Sequence, residues 1–174
     1  MLKKYLVRAV VCAAIATGVL CACGTRQPQQ PAGSPNQAVA EPPIENSCTL
    51  LSEAEIAAVV GNTVDKGQVE GNSDVCKWRT EDPSNVDVLL IFREKGSTRE
   101  QVLCADVRAS TSEHLPALGE VAVWKFSREG LFNSGDLEVC GPKGYLNLTL
   151  NGSRDEATLK AATINLAQKI LQRL

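Results

Sequence analysis

The sequence holds one histidine, one methionine and seven aromatic residues among 174. Any His-based catalytic set would have to be assembled around His114, and no G-x-S-x-G elbow, H-E-x-x-H helix, P-loop or G-x-G-x-x-G turn occurs in the chain. Charge of one sign is lacking too. A formal net charge of −2 and a pI near 5.5 provide no basic face for a phosphate backbone, so nucleic acid is not an expected partner. The one long apolar run, Ala9–Ala22, has 14 residues; as a helix it reaches about 21 Å, short of a hydrocarbon core of roughly 30 Å, which argues against a permanent transmembrane helix. No C-x-x-C pair exists, which argues against thioredoxin-like redox chemistry and against a zinc site built from close thiolate pairs.

What is present begins with an address. Lys3, Lys4 and Arg8 precede the apolar run and small residues follow it, the architecture of an export signal over residues 1–22. Leu20-Cys21-Ala22-Cys23-Gly24 then resembles a bacterial lipobox, with an aliphatic residue at −3, a small one at −1 and cysteine at +1. The resemblance implies that the Cys23 thiol receives a diacylglyceryl group and becomes the mature N-terminus. Cys21 fits less well, because bulky Leu20 would then stand at −1. Fatty acyl chains contribute about 0.8 kcal/mol per buried CH₂, so a two- or three-chain anchor holds a protein firmly on a membrane that it does not span. Loss of the three basic residues leaves fifteen basic against twenty acidic side chains, a charge of −5, so such a body gains nothing by lying on anionic lipid.

From Cys23 to residue 47 the chain carries five of the eight prolines, with Gln, Ser, Asn and Gly and almost no large apolar side chain. This composition predicts a flexible spacer, about 25–30 Å long as a coil and about 75 Å if drawn into polyproline II.

Residues 48–174 are expected to form one globular domain. Three Ser-x-x-Glu patterns, Ser52/Glu55, Ser97/Glu100 and Ser153/Glu156, each predict a helix start. Leu51 and Ile56 have the spacing of a hydrophobic staple around the first helix, and Gly61 suits its end. In the last helix Leu159, Ala162, Thr163, Leu166, Ala167, Ile170 and Leu174 share one face. Between the helices the period drops to two: strands are predicted near 63–69, 75–79, 86–92, 121–126, 137–139 and 145–150, the last two as a hairpin around Gly141–Gly144. The order α-β-β-β-α-β-β-β-α defines an α+β fold, an antiparallel sheet of five to six strands backed by three helices.

Four cysteines lie in this body, and four cysteines allow three pairings. Cys48–Cys76 with Cys104–Cys140 is the expected set, because sequential pairs tie each capped helix to its own strands without crossing. Separations of 28, 28 and 36 residues make a four-thiolate zinc site a poor alternative.

Cys48-Thr49-Leu50-Leu51-Ser52-Glu53-Ala54-Glu55-Ile56 with Gly61, then Cys76-Lys77-Trp78, and later Leu118-Gly119-Glu120-Val121-Ala122-Val123-Trp124, resemble uncharacterised secreted lipoproteins of actinobacteria, which combine a lipobox, a Pro-rich spacer and a Cys-Leu-Leu-type helix followed by a Cys-x-Trp strand. The resemblance implies an envelope location, and it supplies no catalytic residue to carry over.

His114 falls in an expected loop over Ser110–Pro116, where a surface side chain is the simpler reading and a hydrolase built on His114 the alternative. The carboxylate pairs Glu53/Glu55 and Asp155/Glu156 suit first helical turns, and Glu81-Asp82-Pro83 a turn. Recognition through apolar groups remains. Trp124, Leu131 and Phe132 are the candidate ligand-binding residues, the last two placed just before a turn-like Asn133-Ser134-Gly135-Asp136, with ordinary core or strand residues as the alternative; Lys125 and Arg128 either meet an anionic group or simply solvate the edge. The expected protein is therefore a lipid-anchored extracytoplasmic binding module without catalysis, metal or cofactor, whose partner is an envelope protein or lipid; a lipid or small-ligand carrier is the other non-enzymatic reading.

Overall fold

The computed structural model describes residues 44–71, 73–80 and 87–174, with the side chain of Glu129 left aside. The export signal, Cys23, the spacer as far as residue 43 and the Glu81-Asp82-Pro83 turn lie outside the described residues.

The folded body starts earlier than Cys48. Ser47 is fully buried, its N–H donating to Ser73 O at 2.8 Å, and Ile44 packs on the core. A 3₁₀ turn over Ser47–Thr49 is capped by Asn46, whose Oδ1 accepts from Cys48 N at 2.9 Å. Then come α1 (Glu53–Val60), β1 (Gln68–Val69), β2 (Val75–Trp78), β3 (Asp87–Glu94), α2 (Thr98–Ala109), β4 (Glu113–His114), β5 (Val121–Glu129), β6 (Phe132–Gly141), β7 (Gly144–Gly152) and α3 (Glu156–Leu171). The expected α+β order is present with one addition, β4, too short at two residues to show a period.

The seven strands form one antiparallel sheet in the order β1-β2-β3-β7-β6-β5-β4. Alternation along each strand sorts the side chains. Val88, Leu90 and Phe92 of β3, Leu146, Leu148 and Leu150 of β7, Leu137 and Val139 of β6, and Ala122 and Trp124 of β5 face one way, onto Ile56 and Val60 of α1 and Leu159, Leu166 and Ile170 of α3. The opposite face carries a smaller cluster, where Cys104 and Val107 of α2 meet Val123, Cys140 and Tyr145. Two disulfides join these layers, Cys48–Cys76 and Cys104–Cys140, the pairing expected from chain order.

Two helix starts follow the capping pattern and one does not. Ser52 accepts from Glu55 N while Glu55 accepts from Ser52 N, and Gly61 closes α1 at φ +75°. Ser97 accepts from Glu100 N, but the Glu100 carboxylate takes Gly96 N instead of the cap's own amide. α3 is capped by Asp155, which accepts from Thr158 N at 2.9 Å, and not by Ser153. Asp is as good an acceptor as Ser at this position, and starting two residues later frees Glu156 for Trp124 Nε1.

The Asn133–Asp136 stretch is part of β6 and not a turn. Gly135 is there because Trp124 lies across it: a Cβ built on Gly135 would fall 2.3 Å from Cη2 of the indole. Gly135→Ala should therefore destabilise the protein by about 1–3 kcal/mol in urea unfolding, whereas Gly141→Ala, with nothing within 4 Å of the new methyl, should leave the midpoint nearly unchanged. Equal effects would show that the indole does not occupy this place.

A second check uses pH. Glu55 receives hydrogen bonds from Arg173 of the C-terminal end and from Ser52, and these hold its carboxyl at about 2 against an ordinary 4.5. A depressed carboxyl stabilises the fold fully above about 4.5 and loses that contribution as pH falls towards 2. Glu55→Gln should flatten the acid limb of stability between those values; an unchanged slope would remove Glu55–Arg173 from the account.

Candidate functional site

The three residues singled out for recognition separate in space. Trp124 is 3% exposed and forms part of the main core, its ring over Gly135 and its Nε1 donating to Glu156 Oε1 at 3.3 Å. It supports the hairpin from beneath and is not available to a ligand. Leu131 and Phe132, in contrast, are 88% and 51% exposed. They stand at the β5–β6 turn, where Glu129 opposes Phe132 and Gly130 takes φ +65°, the left-handed conformation that a tight turn needs and glycine adopts freely. Two adjacent large apolar side chains in water lose the roughly 1.5–3 kcal/mol each would gain on burial.

The tip is held out on a stiff support. β5 and β6 pair along nine registered positions, from Val121↔Cys140 to Glu129↔Phe132. Below the tip the open face of the sheet is polar and internally satisfied. Lys125 pairs with Glu138, Tyr145 Oη donates to the same carboxylate at 3.2 Å, and Thr149 Oγ1 donates to Asp136 Oδ1. Burial, followed by the neighbouring Glu138 charge, pushes the Tyr145 hydroxyl well above its usual range, so Tyr145 keeps its proton and acts as a donor. The flanking cations fall differently from one another: Lys125 is engaged by Glu138, and Arg128 is exposed beside the tip.

His114 lies on an edge strand and not in a loop. β4 pairs Glu113 with Trp124 and His114 with Val123, because Leu115 N–H finds Ala122 O and draws the segment against β5. The ring Nε2 is 3.1 Å from Ser110 O. The carboxylate in the same row, Glu138, is two strands away, about 10 Å, with Val123 between them. The fold thus gives His114 a backbone carbonyl and brings it no acidic orienting partner along that row. Among the described residues no group of three His, Cys, Asp or Glu comes together as metal ligands, and no helix is long and apolar enough to cross a membrane.

The outer surface of α1 and α3 forms a shallow open groove of about 590 Å³, lined largely by Ala58, Val59, Ala157, Ala161 and Ala162 with Arg154 at one end, its guanidinium donating to Val60 O. That contact closes the C-terminal end of α1. Sequence reasoning singled out Leu131 and Phe132 because they cluster in sequence with Trp124 and precede a stretch that reads as a turn. It missed the polar layer under them, since Asp136 and Glu138 of β6 share a face with Asn147 and Thr149 of β7 only once the two strands are placed in register.

No family model, curated protein or solved structure matches the chain.

The contrast between tip and support is measurable. Leu131→Ser with Phe132→Ser should leave unfolding within about 0.5–1 kcal/mol of the parent, and Trp124→Ala should cost about 3–5 kcal/mol. A large loss from the tip substitutions would mean that Leu131 and Phe132 are core residues.

Proposed function

We propose that this chain is a binding module of the cell envelope: a disulfide-stapled domain, lipid-anchored through Cys23 on the extracytoplasmic face of the cytoplasmic membrane, that engages a partner without performing chemistry. The exposed Leu131–Phe132 pair at the end of a rigid, tryptophan-backed hairpin is the observation that carries this reading. Clustered apolar side chains held by a stiff frame are the common form of a binding hot spot, because little ordering entropy is lost when they are covered.

The partner is an envelope protein. Ile44, where the spacer gives way to the fold, lies beside Phe92 and Arg93 at the end of β3. The tip lies at the other end of the sheet, beyond the ten residues of β6, about 30 Å away. The fold thus keeps Leu131 and Phe132 apart from the residue at which the spacer enters, which supports a protein as the partner. The lipobox-like Cys23 and the two disulfides fit the same compartment, since disulfides persist outside the reducing cytosol.

The reading is tested in cells. A photoreactive residue at Leu131 should yield one discrete protein crosslink, and the same residue at Val102, an exposed apolar site on α2, should not; Cys23→Ala should move the protein out of the membrane fraction. Crosslinks of equal yield at both sites, or crosslinks from Leu131 to lipid alone, would overturn the proposed contact, and membrane retention of Cys23→Ala would overturn the anchor.

A further inference from the structure

The Leu131–Phe132 tip stands beside an open stretch of sheet edge. β5 runs in unbroken register with β6 from Val121 to Glu129, whereas β4 covers its outer side only at Val123 and Trp124. Ala122 O accepts from Leu115 N–H on that outer side. Hydrogen-bonding direction alternates along a strand, so Trp124, Phe126 and Arg128 turn their N–H and C=O groups the same way. Glu113 pairs with Trp124. There β4 stops, because the chain bends at Ser112, whose N–H donates to Ser110 Oγ at 3.2 Å. The N–H and C=O of Phe126 and of Arg128 consequently have no backbone partner among the described residues.

Such an edge is a template for one more strand, and folds that have no use for it cover it, bulge it or keep it very short. Here it stays straight and uncovered along Lys125–Glu129. Its side chains alternate between two faces. Phe126 is half-buried against the main core, and Arg128 follows it on the same face, exposed; Lys125 and Ser127 lie on the other. Lys125 is held by Glu138, whereas Arg128 has no ion-pair partner among the described residues. Arg128 comes just before the turn that carries Leu131 and Phe132, so edge and tip form one continuous surface.

We infer that β5 receives an extended segment of the partner protein as an added antiparallel strand, with an acidic side chain opposite Arg128 and an apolar one opposite Phe126. The inference rests on the reading of the tip as a contact and names the form of its partner. Every pair in the sheet is antiparallel, and the added strand continues the line of β4. One of its residues exchanges both main-chain bonds with Arg128, and a second, two positions on, does the same with Phe126. Paired side chains share a face, so the free Arg128 guanidinium calls for a carboxylate and the Phe126 ring for an apolar group. In chain order the segment reads acid, any residue, apolar. Residues before the acid run past Glu129 to Leu131 and Phe132. A second copy fits poorly: pairing Phe126 of one with Arg128 of the other brings Glu113, which stands opposite Trp124, level with Gly130 of the other copy, where the turn already is.

The test titrates the full chain with the blocked peptide acetyl-Leu-Val-Glu-Thr-Val-Thr-amide and follows amide chemical shifts and hydrogen exchange. Without peptide, the Phe126 and Arg128 amides should exchange faster than those of Lys125 and Ser127, which point at β6. The peptide should shift and protect the first two saturably. Lysine in place of its glutamate, or Arg128→Gln in the protein, should weaken binding about two- to fivefold, the range of an exposed ion pair. Arg128→Pro should abolish the response with little change in the unfolding midpoint, because proline is tolerated where the N–H faces out of the sheet; Ser127→Pro, whose N–H belongs to the β6 ladder, should lower the midpoint. In cells, Arg128→Pro should also remove the crosslink from Leu131. No saturable protection of Phe126 and Arg128, or equal affinity for the lysine peptide, would overturn the added strand. So would the same protection on raising protein concentration alone, which would assign the edge to a second copy. A Leu131 crosslink that persists in Arg128→Pro would overturn the strand and leave the tip contact standing, whereas peptide binding without any Leu131 crosslink would support the edge and remove the tip contact.

Discussion

β7 has no face that meets water, and the architecture answers to that constraint. Leu146, Leu148 and Leu150 are buried on one side and Tyr145, Asn147 and Thr149 on the other. A strand buried on both sides needs cover above and below. α1 and α3 supply a full apolar layer on the first side. The second side has only α2, whose twelve residues bury Glu100, Cys104 and Val107. Burial of one valine contributes about 1.5–3 kcal/mol, and closure of a loop of the Cys104–Cys140 size contributes about 3–4 kcal/mol in the chain-entropy picture. The disulfide therefore contributes at least as much as that valine, and it compensates for the narrow apolar stripe of the helix.

Where α2 does not reach, the second face is closed by hydrogen bonds. Asp136 with Thr149, and Glu138 with Lys125 and Tyr145, satisfy one another across β5, β6 and β7. Such a layer rigidifies without supplying much net stability, because each bond replaces one to water. Its consequence is mechanical: the β5–β6 hairpin is fixed by the indole of Trp124 from one side and by these polar links from the other. The exposed pair at its tip is then presented by a frame that is braced on both faces.

Much of this was legible in residue order. Helix starts at Ser52 and Ser97, the apolar face of α3 and the alternation of β3 and β7 were all readable, because each depends on neighbours within a few positions. The cysteine pairing followed from the same locality, each bridge joining a helix or turn to strands near it in the chain. What escaped depended on distant partners. β4 exists because β5 offers it an edge, Gly135 is a strand residue because Trp124 needs the space, and Asp155 caps α3 in place of Ser153 because Glu156 is drawn to the indole. Exposure of Leu131 and Phe132 could be suspected from their turn-like surroundings, but whether the neighbouring Trp124 faced out with them depended on strand parity.

α2 is held to the sheet by the Cys104–Cys140 bond, of a kind that persists where thiols are not kept reduced. Digestion of the protein recovered from the cells that make it, without reduction and with free thiols blocked at lysis, tests this directly. It should release a peptide pair joining Cys104 to Cys140 and another joining Cys48 to Cys76. Recovery of Cys104 and Cys140 as blocked thiols, or of Cys48 joined to Cys140, would contradict the way the second face of the sheet is held.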